Sequence, residues 1–358
     1  MHIPDGYLSP STCAVLYAGA GAGWYGAVRR VKRAFTTRLI PLISVFAAFS
    51  FVLMMFNLPL PGGTTGHAIG VTIAAIILGP SGAILAISLA IAIQALFFGD
   101  GGITTLGANC FNMAIIGSLV AYATYRLVAA GAPITSRRRI FAAAIAGYLA
   151  ANAAAFVAAI EFGIQPVLFH DAHGVPLFAP YPLNVAIPAM MIGHLAVAGI
   201  AEAVVAAGLV AYLQVADPAL LRRTSGLPET ARAAAEIALQ KSLRKLWISV
   251  ALVMLLTPLG ILAGGTAWGE WSANQVNAES KKEIPAAGQN QARPSAAPDG
   301  LRRLSEVWTA PIPNYAPQFV KSSSFGYLLS AMFGVGLLLA FSLLAQRFLQ
   351  KQPAAGQS

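Results

Sequence analysis

The sequence predicts an all-α membrane protein of about nine transmembrane helices. Three observations lead there: an apolar composition, long apolar runs, and cations gathered into a few short segments. Of 358 residues, 57% are hydrophobic and 10% charged, against about 25% charged in soluble domains. A helix needs about 20 apolar residues to span a bilayer. Lipid offers the backbone no hydrogen-bond partner, so spanning segments are helices or strands of a closed barrel. The runs here lack strand alternation and read as helices.

In chain order the spans fall near 8–28, 39–57, 67–79, 82–98, 109–128, 140–160, 184–213, 246–264 and 325–346. Residues 1–215 form the body, a bundle of about seven helices. A charged, helix-friendly linker covers 216–245. Residues 246–358 form a tail, a pair of helices around a polar external loop, 265–323. The span at 67–79 is only about 20 Å long, short for a hydrocarbon core of roughly 30 Å. It follows Asn57-Leu58-Pro59-Leu60-Pro61-Gly62-Gly63-Thr64-Thr65-Gly66. Irregular backbone at membrane depth is tolerated where it is buried in protein or lines a cavity, which marks this loop as a site candidate.

A net charge of +10 raises nucleic acid as a partner, and its distribution argues against it. Arg29, Arg30, Lys32, Arg33 and Arg38 form one cluster, Arg137–Arg139 a second, and Arg222, Arg223, Arg232, Lys241, Arg244 and Lys245 a third. No aromatic residues interleave with them as a stacking surface would require. With the amino terminus outside, all three clusters lie inside, and the short outer segments 1–7, 58–66, 99–108 and 161–183 hold no Lys or Arg. The carboxyl terminus is then inside a bacterial cytoplasmic membrane, with lipid and not nucleic acid as surroundings. Residues 1–7 lack the basic start of a signal peptide, so the terminus is expected to stay in place with Met1 retained. Cys13 and Cys110 lie in or beside apolar runs and read as buried packing residues.

A chain opening Met1-His2 is a potential chelator. The Met1 amine, the deprotonated His2 amide and His2 Nδ1 close a five- and a six-membered ring around one ion, filling three corners of a square plane. Square-planar nitrogen ligation suits Ni(II) or Cu(II) better than Zn(II), Mg or Ca. His67, at the end of the irregular loop and on the same membrane side, completes the plane. Asp5, Thr64, Thr65 and Gly66 are supporting positions, with Gln94 and Asp100 weaker ones. Asn109 and Asn112, one turn apart, serve to lock the loop, hold the His67 ring, or cap a helix. His170 and His173 (His-Asp-Ala-His) are candidates for metal recruitment in an external loop. His194 and Glu202, about two turns apart, cannot share an ion and read as contacts between helices. Protonation of the imidazoles should weaken binding as pH falls through about 6.5.

There is no phosphate-binding Gly-x-x-x-x-Gly-Lys-[Ser/Thr], no Ser-His-Asp spacing and no His-Glu-x-x-His. Glu202 is read as the one acidic residue deep in a span, too few for a proton relay. The expectation is a transport component without enzymatic activity. A partner-free secondary transporter or channel, or a membrane metal sensor, are the alternatives.

The chain resembles the CbiM/NikM family of substrate-capture subunits of energy-coupling-factor (ECF) transporters for cobalt and nickel. The resemblance rests on Met1-His2-Ile3-Pro4-Asp5-Gly6-Tyr7-Leu8-Ser9-Pro10 and on Pro59 to His67. Leu78-Gly79-Pro80, Gln94 to Gly102 and Gly107-Ala108-Asn109-Cys110-Phe111-Asn112-Met113 complete it. It implies Ni2+ or Co2+ as the transported ion, held by Met1, His2 and His67. It also implies a transmembrane coupling subunit (NikQ/CbiQ-like) and cytoplasmic ATPases (NikO/CbiO-like). The tail resembles the small companion module (NikN, or PDGLE) through Pro298-Asp299-Gly300-Leu301, with Arg302 where that motif carries Glu.

Overall fold

The computed structural model describes residues 1–33, 39–60, 64–222, 239–263, 266–271 and 297–350. It is a helical membrane protein. Among the described residues six stretches are long and apolar enough to cross a membrane, including Arg137–Leu168, Leu183–Ala216 and Ser323–Ala345. Leu127, Phe141, Val204, Leu252 and Leu344 lie exposed around the outside, an apolar surface suited to lipid or to a membrane partner.

Helix α1 (Pro10–Arg33) runs away from the amino terminus and α2 (Leu39–Met54) returns. A two-stranded antiparallel hairpin follows, β1 (Leu58–Leu60) and β2 (Thr64–Gly66), with Leu58 opposite Gly66. The expected irregular loop is therefore partly sheet. Its turn, 61–63, falls outside the described residues.

The next helical stretch, α3 (Val71–Ile93), continues into a π-helical turn, Gln94–Phe98. As one straight helix it would separate its ends by about 42 Å, yet His67 and Asp100 both touch His2. The reversal lies at Gly79, whose φ of 76° and ψ of 168° break the helix just before Pro80. A short arm, 71–78, thus descends and a long arm, 80–98, comes back. The two spans expected here are the arms of one hairpin, and the first begins at Val71 rather than at residue 67.

The short arm starts deep in the protein, where four orphan N–H groups would be costly. The Glu202 carboxylate resolves this by accepting from Ile69 N and Gly70 N, both at 2.8 Å, and from Thr72 N at 3.1 Å. Gly70, at φ 75°, supplies the left-handed turn that lets these N–H groups converge. Glu202 is thus a contact between helices, as expected, and it fixes the approach to His67.

α4 (Leu106–Asn109) passes through a π-helical stretch, Cys110–Ile116, into α5 (Gly117–Val128). The alanine-rich α6 (Arg137–Gly163) packs on α5 and on α9 (Gly199–Ala216). Close approach needs small residues: a Cβ on Gly147 would lie 2.9 Å from the Glu202 carbonyl. α7 (Gln165–Leu168) begins the loop that leads to α8 (Leu183–Gly193), which joins α9 through His194–Ala198. α10 (Pro218–Arg222) closes the body, and the linker residues 223–238 lie outside the described residues.

The tail places α11 (Leu239–Leu255) and α13 (Ser323–Gln350) against α2. Between them α12 (Asp299–Leu304) sits on the body, where Gly300 N donates to the Leu177 carbonyl at 2.8 Å. The described parts of the external loop pack on the amino-terminal end, and residues 272–296 are outside the description. Gln214 on α9 donates to the carbonyls of Ile134 and Ser136, so those loops share the end opposite Met1.

Candidate metal centre

The site is built on the first five residues. Ile3 N donates to Asn109 Oδ1 at 2.8 Å, and the Ile3 carbonyl accepts from Gly102 N at 2.9 Å, Asn109 Nδ2 at 3.1 Å and Thr105 Oγ1. Asp5 accepts from Ile103 N at 3.1 Å and from Thr104 N and Oγ1 at 2.7 and 2.5 Å. Gly102 must be glycine for this fit, since a Cβ there would fall 2.3 Å from Asp5 N. The terminus is laced to residues 102–109, mostly through side chains.

This lacing turns Met1 and His2 inward, 4% and 1% exposed. The Met1 amine donates to Glu270 Oε1 at 2.8 Å, and His2 N donates to the same oxygen at 2.9 Å. His2 Nδ1 donates to Asp100 Oδ1. The His2 and His67 rings stand edge to face, with centroids 5.1 Å apart. His2 Nε2 is buried without a hydrogen-bond partner among the described residues. Each of the three terminal nitrogens expected to chelate therefore faces a carboxylate oxygen. Among the described residues no group of three or more His, Cys, Asp and Glu side chains forms a metal cage by itself.

Thr65, His67, Asp100, Glu270 and Tyr315 line a cavity of about 570 Å³. Thr64, Thr65 and Gly66, all buried, belong to β2 and carry His67 to its place. Burial pushes the His67 imidazole down to about 3, helped by the neighbouring His2 and terminal amine. The expected acid competition at His67 near pH 6.5 is thus corrected: this ring stays neutral far below that. Burial alone would raise the Asp100 carboxyl. The His2 ring, His67 and the Tyr315 hydroxyl (2.5 Å from Oδ2) outweigh it and hold the carboxyl well below its usual range. Gln94 Nε2 completes the set, donating to Tyr315 at 3.0 Å and to Asp100 at 3.3 Å.

Several expected roles change. His67 Nδ1 donates to the carbonyl of Ala68 at 3.1 Å, not to an asparagine. Asn109 grips Ile3, and Asn112 Nδ2 donates to Glu161 Oε2 at 2.7 Å. Glu161 is 5% exposed within α6, so Glu202 is not the only acidic residue deep in a span. The sequence reading missed it by ending that span at residue 160. His170 and His173 do not reach the cavity: His170 Nδ1 donates to the Asp171 carbonyl at 3.0 Å, and His173 N to Asp171 Oδ1 at 2.8 Å, in an exposed turn. His194 Nδ1 donates to Met190 O at 2.8 Å, and the residue shares a small pocket with Met1.

Glu270, like Tyr315 in the same tail, is a site residue that sequence reasoning missed. It lies in the tail, 269 positions from Met1, inside a segment read as loop. The one signal was the aromatic bracket Trp268-Gly269-Glu270-Trp271, unusual in a polar stretch. The tail also meets the site region through Tyr315, on Asp100, and through Leu301, whose carbonyl would lie 2.7 Å from a Cβ on Gly6. Arg302, where the companion motif has Glu, pairs with Asp299 at 2.7 Å on the exposed surface, away from the site.

Residues 2–220 match the family model described as "Cobalt uptake substrate-specific transmembrane region", and residues 244–351 match the PDGLE domain. The chain is 53% identical over 343 residues to the fused nickel transport protein NikMN of Rhodobacter capsulatus, covering 95% of each chain. It is 42% identical over 279 residues to the probable fused nickel transport protein LarMN of Lactiplantibacillus plantarum, covering 77% of this chain and 79% of that one. Two crystal structures, of a transition metal transporter and of a truncated one, share 52% identity with it. Their TM-scores are 0.57 and 0.56, over 60% of this chain and 92% and 98% of theirs. The chain thus belongs to the CbiM family of substrate-specific membrane components for cobalt and nickel uptake, with a PDGLE domain fused behind it.

Proposed function

We propose that this chain is the substrate-specific membrane subunit of an ATP-driven nickel uptake system, with cobalt as the related substrate. The ion is taken from outside and held by four nitrogens: the Met1 amine, the His2 amide, His2 Nδ1 and a His67 imidazole nitrogen. The observation that carries this reading is the convergence of Met1 N and His2 N on one point, with the His67 ring packed against His2. Nickel is favoured by the planar nitrogen set and by the names of the fused relatives. A transmembrane coupling subunit and cytoplasmic ATPases, NikQ/CbiQ-like and NikO/CbiO-like, supply the energy, because the sequence holds no phosphate-binding loop of its own. The chain sits in the cytoplasmic membrane with Met1 outside. The basic clusters near residues 29, 137 and 222 then face inward, in keeping with the charge rule.

The test is nickel uptake into vesicles containing the purified chain, with and without the coupling and ATPase subunits. Uptake is expected only with all subunits and ATP. Uptake by the chain alone would favour the partner-free transporter instead.

A further inference from the structure

We infer that Glu270 of the tail is a positioning residue for the metal site, holding the amino terminus in its chelating conformation before an ion arrives. This rests on the proposed four-nitrogen reading and adds to it a role for the fused domain. The amine and the amide nitrogen are separated by one Cα and one carbonyl carbon. They can point at a single atom only when both lie on the same side of Met1, the arrangement that a five-membered chelate ring requires. Glu270 Oε1 is that atom, 2.8 Å from one nitrogen and 2.9 Å from the other. It occupies the direction in which the metal would bind, so it acts as a template whose place the ion takes as the ammonium and the amide each release a proton. Without it a free terminus would have to give up its rotational freedom at the moment of binding.

The segment that presents Glu270 is built for this. Trp271 is fully buried and its carbonyl accepts from the Tyr7 hydroxyl at 2.8 Å. Trp268 packs edge-on to Phe162 at 5.8 Å and against Tyr181 at 5.2 Å. Between them Gly269 has φ +81°, and a Cβ there would sit 3.0 Å from the Phe162 ring. Two aromatic anchors and a left-handed glycine fix the backbone on both sides of the carboxylate, and Tyr7 ties the anchor to the same amino-terminal loop. Glu270 keeps a 19% exposed side chain at the cavity wall, so it can leave when an ion takes its place.

The test compares the full-length chain in detergent or nanodiscs with E270A, E270Q and H67A. In metal-free protein, the Met1 amine is challenged with an acylating reagent and its labelling followed by mass spectrometry. E270A should label several-fold faster than wild type, whereas E270Q, whose amide oxygen still accepts both bonds, should stay close to wild type. Nickel affinity should fall about 10–100-fold in E270A and largely recover in E270Q. Unchanged labelling and affinity in E270A, or tighter binding, would overturn the proposal. H67A should lose nickel yet keep Met1 protected; wild-type nickel binding by H67A would defeat the four-nitrogen reading, while the metal-free labelling would still decide the role of Glu270.

Discussion

The amino-terminal loop divides into two regions held in different ways. Ile3 and Asp5 are fastened to residues 102–109 by seven hydrogen bonds, four from backbone N–H donors, two from threonine hydroxyls and one from an asparagine amide. Met1 and His2, only two residues away, are held through carboxylates, Glu270 for the amine and amide and Asp100 for the imidazole. The first set has no exchange partner and fixes position. The second consists of groups that a divalent cation can displace. A capture site needs both: a frame that does not move, and ligands whose resting partners can be exchanged.

The contrast can be broken most severely at the ligand itself. His67→Ala should lower nickel affinity by at least about 100-fold, read by equilibrium titration, while leaving the frame intact. Removing the support behind His67 comes next. Glu202→Ala would leave the N–H groups of Ile69, Gly70 and Thr72 without their acceptor, at about 1–3 kcal/mol for each one that stays buried. Hydrogen exchange should show residues 67–72 opening, and Glu202→Gln should be milder. In the frame, Asp5→Ala should cost about tenfold in nickel affinity with a lower melting temperature, because it loosens the clasp without touching a ligand.

Acid sharpens the comparison. The Met1 ammonium and the His2 amide must each release a proton to bind metal, whereas burial keeps His67 neutral down to about 3. Affinity should therefore rise with pH, by about tenfold per pH unit for each proton released. Titrations between pH 6 and 8 that give a flat line would contradict amide ligation. The smallest effect is expected from His170→Ala with His173→Ala. Their turn is closed on Asp171, so affinity should change by less than about twofold.

Much of this was legible in the sequence because the information is local. Met1-His2 has the covalent connectivity of a chelator, and Gly79-Pro80 announces a break wherever it occurs. The alanine-rich run of α6 reads directly as a packed span. What escaped was non-local. Glu270 reaches the site only through the tail's fold, and its neighbours in sequence are polar loop. The β1–β2 hairpin hid behind Pro59, Pro61 and two glycines, a composition that reads as irregular until Leu58 and Gly66 are seen to pair. Glu161 was lost to a span boundary set a single residue short. Asn109 and Asn112 were seen as a pair, yet their partners, Ile3 and Glu161, lie 106 and 49 residues away.

The central claim is that the free amine of Met1 is a metal ligand. It is tested most directly by measuring nickel stoichiometry and affinity for the native terminus against a chain extended by one residue before Met1. Extension moves the amine while leaving both imidazoles in place. Affinity should fall by at least about 100-fold; equal stoichiometry and affinity in the two proteins would contradict the account.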